Sequence, residues 1–142
     1  MSLSRPTRVL YVDDDVACLR SVQINLELQG RYELTILSDS REVLAEARTG
    51  LYDIVLTACV MPYLTGWEVI EAMDQDRKLR RLPVLMASPL LEGLDDSRSM
   101  CEVGGIPMVN KPFDFRALEI AIDRLVARAS QTEDPTTVLF VN

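Results

Sequence analysis

Five short, largely apolar runs, at residues 9–12, 33–37, 54–57, 84–87 and 108–110, recur along the chain with gaps long enough to hold a helix between them. Runs this short, alternating with segments of helical periodicity, predict repeated strand-helix units and a parallel sheet covered on both faces. The first helix is expected over 16–29, with Leu19, Val22 and Leu26 on its buried stripe and Gly30 as its stop. Ser40 is expected to cap a second helix carrying Val43, Leu44 and Ala47. A third begins at Trp67, whose indole is expected in the core with Val69, Ile70 and Met73, and Pro83 keeps the charged exit at 74–81 from continuing as helix. A fourth, over 94–103, has only Leu94, Met100, Cys101 and Val103 to anchor it between Pro89, Gly93, Gly104 and Gly105, and local mobility is expected there. Asp114 is expected to cap the fifth, whose stripe is Phe115, Leu118, Ile122 and Leu125, with Arg116, Glu119, Asp123 and Arg124 facing away.

A chain of 142 residues with 48% hydrophobic content suits one core. Residues 1–129 are read as one domain and 130–142 as a linker or tail. The net charge is −7, and the basic residues cluster only at 77–78 and 80–81, which reads as a solvated helix end. Direct binding of nucleic acid is therefore not expected. No apolar stretch is long enough for a membrane span and the first six residues lack a signal-peptide core, so a cytoplasmic chain is expected. Cys18, Cys59 and Cys101 show no CxxC spacing and read as reduced thiols. The absence of histidine leaves no fourth ligand for zinc, no Ser-His-Asp triad and no phosphohistidine donor within the chain.

In a parallel sheet, side chains at the carboxyl ends of neighbouring strands converge on one crevice. The first run ends in Asp13 and Asp14. Two such carboxylates facing one pocket call for a cation, and hard oxygen ligands suit Mg²⁺. Lys111, which closes the last run, is expected to balance the remaining negative charge.

The segment Tyr52-Asp53-Ile54-Val55-Leu56-Thr57-Ala58-Cys59-Val60-Met61-Pro62, followed by Gly66, resembles the third strand and following loop of bacterial response-regulator receiver domains. The resemblance extends roughly over residues 7–129. It implies an α/β, flavodoxin-like doubly wound five-stranded parallel sheet of order 2-1-3-4-5 with five helices. It also implies a Mg²⁺-dependent phosphoryl-acceptor site made from an acidic pair after the first strand, an aspartate ending the third, a Ser or Thr ending the fourth, and Lys-Pro after the fifth. Those positions read Asp13-Asp14, Ala58, Ser88 and Lys111-Pro112 in this chain. By the same resemblance Asp14 is a direct Mg²⁺ ligand, Asp13 a ligand through water and the Val60 carbonyl a further ligand. Ser88 and Lys111 then contact the phosphoryl group. The implied partners are a sensor histidine kinase or phosphotransfer protein, and an output protein that meets the face made by the fourth helix, fifth strand and fifth helix.

Ala58 has no nucleophile and also removes one metal ligand. The expectation is a non-enzymatic receiver module that cannot be phosphorylated at position 58, binds Mg²⁺ weakly or not at all, and acts through protein-protein interaction. Among the neighbours, Thr57 faces the opposite side of its strand, Asp53 sits at the wrong end, Cys59 reads as a small loop residue, and Asp13, Asp14 or Asp15 is expected to accept the group only inefficiently. Pro89 stiffens the loop after Ser88, and Met108 stands where the family often has an aromatic switch residue. These departures favour natural divergence, whereas the intact Asp13, Asp14, Ser88, Met61-Pro62 and Lys111-Pro112 favour a single engineered Asp-to-Ala replacement in an ordinary acceptor, and both remain open. A reading of another class is a small Mg²⁺-dependent phosphatase of the haloacid-dehalogenase type, with Asp13 as nucleophile, Asp15 as general acid, and Ser88 and Lys111 holding phosphate. Against it, no paired acidic motif follows Lys111. The polar segment 131–137 and apolar run 138–141 read either as a linker or as a strand added to a sheet edge, giving a homodimer.

Overall fold

A computed structural model of the chain describes residues 5–89 and 101–131. Strand β1 (Thr7–Val12) leads through α1 (Val16–Glu27) to β2 (Tyr32–Leu37), a 3₁₀ turn (Ser40–Glu42) and the short α2 (Val43–Ala47). Then come β3 (Ile54–Ala58), α3 (Gly66–Asp74), β4 (Val84–Ser88), β5 (Cys101–Val103), β6 (Ile106–Asn110) and α4 (Phe115–Gln131). The sheet order is β2-β1-β3-β4-β6-β5. Its first five strands are parallel and reproduce the expected order.

The sixth strand corrects the sequence reading. Residues 101–103, expected as the end of a helix, pair antiparallel with β6. Gly104 and Gly105 both have positive φ, at 61° and 83°, and a two-residue turn of that kind matches the twist of a hairpin. The glycines thus join two strands and do not end a helix. The rest of that expected helix, 94–100, lies outside the described residues, which contain four α-helices in place of five.

Both faces of β1 and β3 are covered, which explains runs that are apolar throughout and do not alternate. On one face Val9, Tyr11, Ile54 and Leu56 pack against Leu19, Val22 and Leu26 of α1 and Leu118, Ile122 and Leu125 of α4. On the other, Leu10, Val12 and Val55 meet Val43 and Ala47 of α2 and Val69 and Met73 of α3. Cys59, Met86 and Met108 form a third small cluster with Ile70 and Ile106.

The helices carry three further differences. Asp39 caps the 3₁₀ turn through its side chain, whereas the expected cap, Ser40, is buried and donates its hydroxyl to the Pro62 carbonyl (2.6 Å) while accepting from the Leu64 N–H (3.0 Å). Trp67 is 42% exposed because it lies about 200° around the helix from the inward-facing Val69. Glu119 and Asp123 do not simply face water, since both meet Arg31 (3.7 and 2.7 Å) and Asp123 also accepts from the Tyr32 hydroxyl (2.7 Å). Asp114 caps α4 as expected, accepting from the Ala117 N–H, and α1 stops at Glu27 with Gly30 at φ 74° beyond it.

Candidate functional site

Parallel pairing places the ends of β1, β3, β4 and β6 along one edge, with Val12 opposite Thr57, Ala58 opposite Ala87 and Ser88 opposite Asn110. Asp13 therefore leaves β1, Ala58 ends β3 and Ser88 ends β4 beside one another. Lys111 follows β6, and its backbone N–H donates to the Ser88 carbonyl at 3.2 Å.

Asp13 is wholly buried, and each of its oxygens is occupied. Oδ2 accepts from the Lys111 ammonium (2.6 Å) and the Tyr11 hydroxyl (2.7 Å), and Oδ1 accepts from the Asp15 N–H (3.0 Å). A desolvated carboxylate needs such donors, and those from charged groups are the strongest. The Tyr11 hydroxyl also lies 3.2 Å from the Cys18 sulfur, and its ring meets Phe113 edge-on.

This arrangement shifts the groups around Asp13. Burial pulls the Lys111 ammonium down, but the hydrogen bond and charge of Asp13 prevail and hold its pKa above the ordinary lysine value. Burial, then the hydrogen bonds with Cys18 and Asp13, push the Tyr11 phenol far above its usual range. Burial also raises the Cys18 thiol, against the opposing effects of Tyr11 and Lys111. Neither group is poised to ionise near neutrality.

The remaining expected residues are less tightly gathered. Asp14 is exposed, Val60 is 68% exposed on the following loop, and Asp15 caps α1 by accepting from the Cys18 N–H. Ser88 and Ala58 are buried at their strand ends, the Ala58 methyl packing in the cluster of Val12 and Met61. Thr57 spends its hydroxyl on the Ala58 carbonyl (2.9 Å), and Cys59 lies in the methionine cluster with Met108. Asp53 stands at the far end of β3, held by Arg5 and the Arg8 N–H.

The loop after β3 is held from two sides. Gly66 donates its N–H to the Cys59 carbonyl, and a methyl added at Gly66 would stand 2.5 Å from the Ala58 carbonyl oxygen. Tyr63 has φ 73°, unusual for a residue with a side chain, while Ser40 bonds Pro62 and Leu64 on either side and the Arg41 guanidinium stacks 3.8 Å from the Tyr63 ring centre.

As a metal centre this set fits poorly. Among the described residues no three Cys, Asp or Glu side chains gather as ligands, and the better-placed carboxylate, Asp13, is already paired with an ammonium. Tyr11 and Cys18 were not singled out from the sequence as site residues. The available signal was a phenol two residues before an acid, where strand side chains share a face. No helix of the described residues is long and apolar enough to cross a membrane.

Residues 9–123 match the response regulator receiver domain family. The chain is 30% identical over 122 residues to the transcriptional regulatory protein PcoR of Escherichia coli, covering 86% of this chain and 52% of PcoR. It is 29% identical over 122 residues to the alkaline phosphatase synthesis transcriptional regulatory protein PhoP of Bacillus subtilis, covering 86% and 49% respectively. The chain thus spans about half the length of these curated relatives. Among solved structures, the chemotaxis response regulator CheY4 of Vibrio cholerae superposes with a TM-score of 0.69 at 28% identity, covering 84% of this chain and 98% of that one.

Proposed function

The chain belongs to the response regulator receiver domain family, and from that premise we propose that it is a two-component signalling module unable to accept a phosphoryl group at position 58. Receiver domains generally bind Mg²⁺ at the acidic pocket and take phosphoryl groups from histidine kinases or phosphotransfer proteins. The observation that carries the reading is Ala58 at the carboxyl end of β3, beside a pocket where Lys111 pairs with Asp13.

Phosphoryl transfer depends on an in-line nucleophile, positioned charge and a metal. Alanine has no lone pair with which to attack phosphorus, so the charged groups around it have no acceptor to serve. Ser88 and Lys111 remain the phosphoryl-contacting positions. Asp13, Asp14 and the Val60 carbonyl stand at the positions of the family's metal site, and for want of a third carboxylate they hold Mg²⁺ weakly or not at all. Residues 1–129 form the module and 130–142 a linker or tail whose first two residues continue α4.

Such a chain acts by binding. It meets a histidine kinase or phosphotransfer protein without consuming the phosphoryl group, and it meets an output protein through the face that includes β6 and α4. PcoR and PhoP are named as transcriptional regulators, which supports an output in gene control, and the net charge of −7 argues against nucleic-acid contact by these 142 residues themselves. A natural alanine and an engineered one predict the same behaviour.

No observation favours the phosphatase reading. Its nucleophile, Asp13, is engaged by three donors, and its general acid, Asp15, caps α1. The test is intact mass after incubation with Mg²⁺ and a small phosphoryl donor, beside the Ala58→Asp variant. The variant is expected to gain one phosphoryl group and the present chain none; a gain by the present chain overturns the reading.

A further inference from the structure

We propose that the Lys111 ammonium is itself the resident cation of the acidic pocket, and that its pairing with Asp13 closes the pocket to divalent cations. The inference rests on reading position 58 as the silenced acceptor, and it adds what holds the pocket in its place.

Three observations carry it. The Asp13 carboxylate is wholly buried and has both oxygens occupied, Oδ2 by Lys111 and Tyr11 and Oδ1 by the Asp15 N–H. A divalent ion drawing on Asp13, directly or through water, has to displace one of those donors. Next, Lys111 is anchored: its side chain is 19% exposed, and its backbone N–H is bonded to the Ser88 carbonyl. Finally, the side chain that ends β3 is the buried methyl of Ala58, which offers the ammonium no rival carboxylate.

What remains for a metal is Asp14, exposed at the rim, because Asp15 is committed to the end of α1. Mg²⁺ sheds water reluctantly and needs near-octahedral ligation, so a single rim carboxylate holds it poorly. The pocket is consequently indifferent to free divalent cations. Since Lys111 lies between β6 and α4, the same pairing ties that junction to the end of β1 in one arrangement.

The pairing makes a signed prediction. Removing the ammonium leaves Asp13 buried without its counter-ion, which costs stability unless the carboxylate takes up a proton or a cation fills the vacated place, and a divalent ion in excess is expected to fill it. The Lys111→Met variant is expected to bind Mn²⁺ about tenfold or more tightly than the unaltered chain and to melt at a higher temperature in millimolar MgCl₂ than in chelator. The unaltered chain is expected to show the same melting temperature in both.

Mn²⁺ titration followed by electron paramagnetic resonance reads the free ion directly. Equal Mn²⁺ affinity in the unaltered chain and Lys111→Met overturns the proposal. Should that variant not fold, ¹⁵N spectra of the unaltered chain decide alone: superimposable Asp13, Asp14 and Asp15 amides with and without MgCl₂ support the closed pocket, and Mg²⁺-dependent shifts there overturn it. An unaltered chain that binds Mn²⁺ yet gains no phosphoryl mass refutes this inference and leaves the proposed function standing.

Discussion

Tyr11 and Asp13 share a side of the chain because strand side chains two apart point the same way, and their hydrogen bond makes a core residue part of the pocket. Replacing Tyr11 by Phe keeps the ring against Phe113 but removes a donor from a buried carboxylate. Urea unfolding of Tyr11→Phe is expected to show a loss of about 1–3 kcal/mol; an unchanged midpoint would mean that water takes the place of the hydroxyl. At the opposite edge, burial raises the Asp53 carboxyl, but its bonds to Arg5 and the Arg8 N–H win and hold it below the ordinary value of 3.8. A depressed carboxylate contributes stability that is complete above the unfolded value and is lost as pH falls through the folded one. Asp53→Asn is therefore expected to destabilise the protein at neutral pH and to flatten the decline below pH 3.8, as followed by thermal melts across the acid range.

Among the elements, the third helix shows how a local motif and a long-range contact combine. Thr65 and Glu68 make a reciprocal capping box, which sets where α3 begins. Gly66, its first residue, passes so close to the Ala58 carbonyl that no side chain fits without moving backbone. Gly66→Ala is expected to cost about 3 kcal/mol, at the upper end for overpacking, measured by chemical denaturation. A cost within error of zero would show that α3 can shift away from β3. The same level explains the misread elements. Ser40 looked like a cap because serine before an apolar segment usually is one, yet its hydroxyl turns inward to the Pro62–Leu64 loop, a partner 22 residues away. Gly104 and Gly105 fit either a helix end or a hairpin turn, and only a strand alongside at 106–110 decides between them.

For the molecule as a whole, burial on both faces predicts a gradient of protection from the centre of the sheet outward. Hydrogen exchange is expected to be slowest at β1 and β3, whose residues 9–12 and 54–58 are almost wholly buried, and faster at the edge strand β5 and in the five-residue α2. Comparable rates in β5 and β1 would contradict that order. The parallel five-strand order, the stripes of α1 and α4 and the gathering of Asp13, Ser88 and Lys111 along one edge were legible in the chain, because apolar runs and helical spacing are local and a parallel sheet brings its strand ends together. Trp67 was misplaced for want of an angle: its two-residue offset from Val69 turns it to solvent, whatever its hydrophobicity. Sequence alone determined the layers of the fold and the absence of a carboxylate at position 58. Only tertiary structure decided that Lys111 pairs with Asp13, 98 residues away, and that Tyr11 completes the pairing. Periodicity encodes which side of an element is buried, whereas the partner of a buried charge depends on which distant groups the packed sheet leaves within reach.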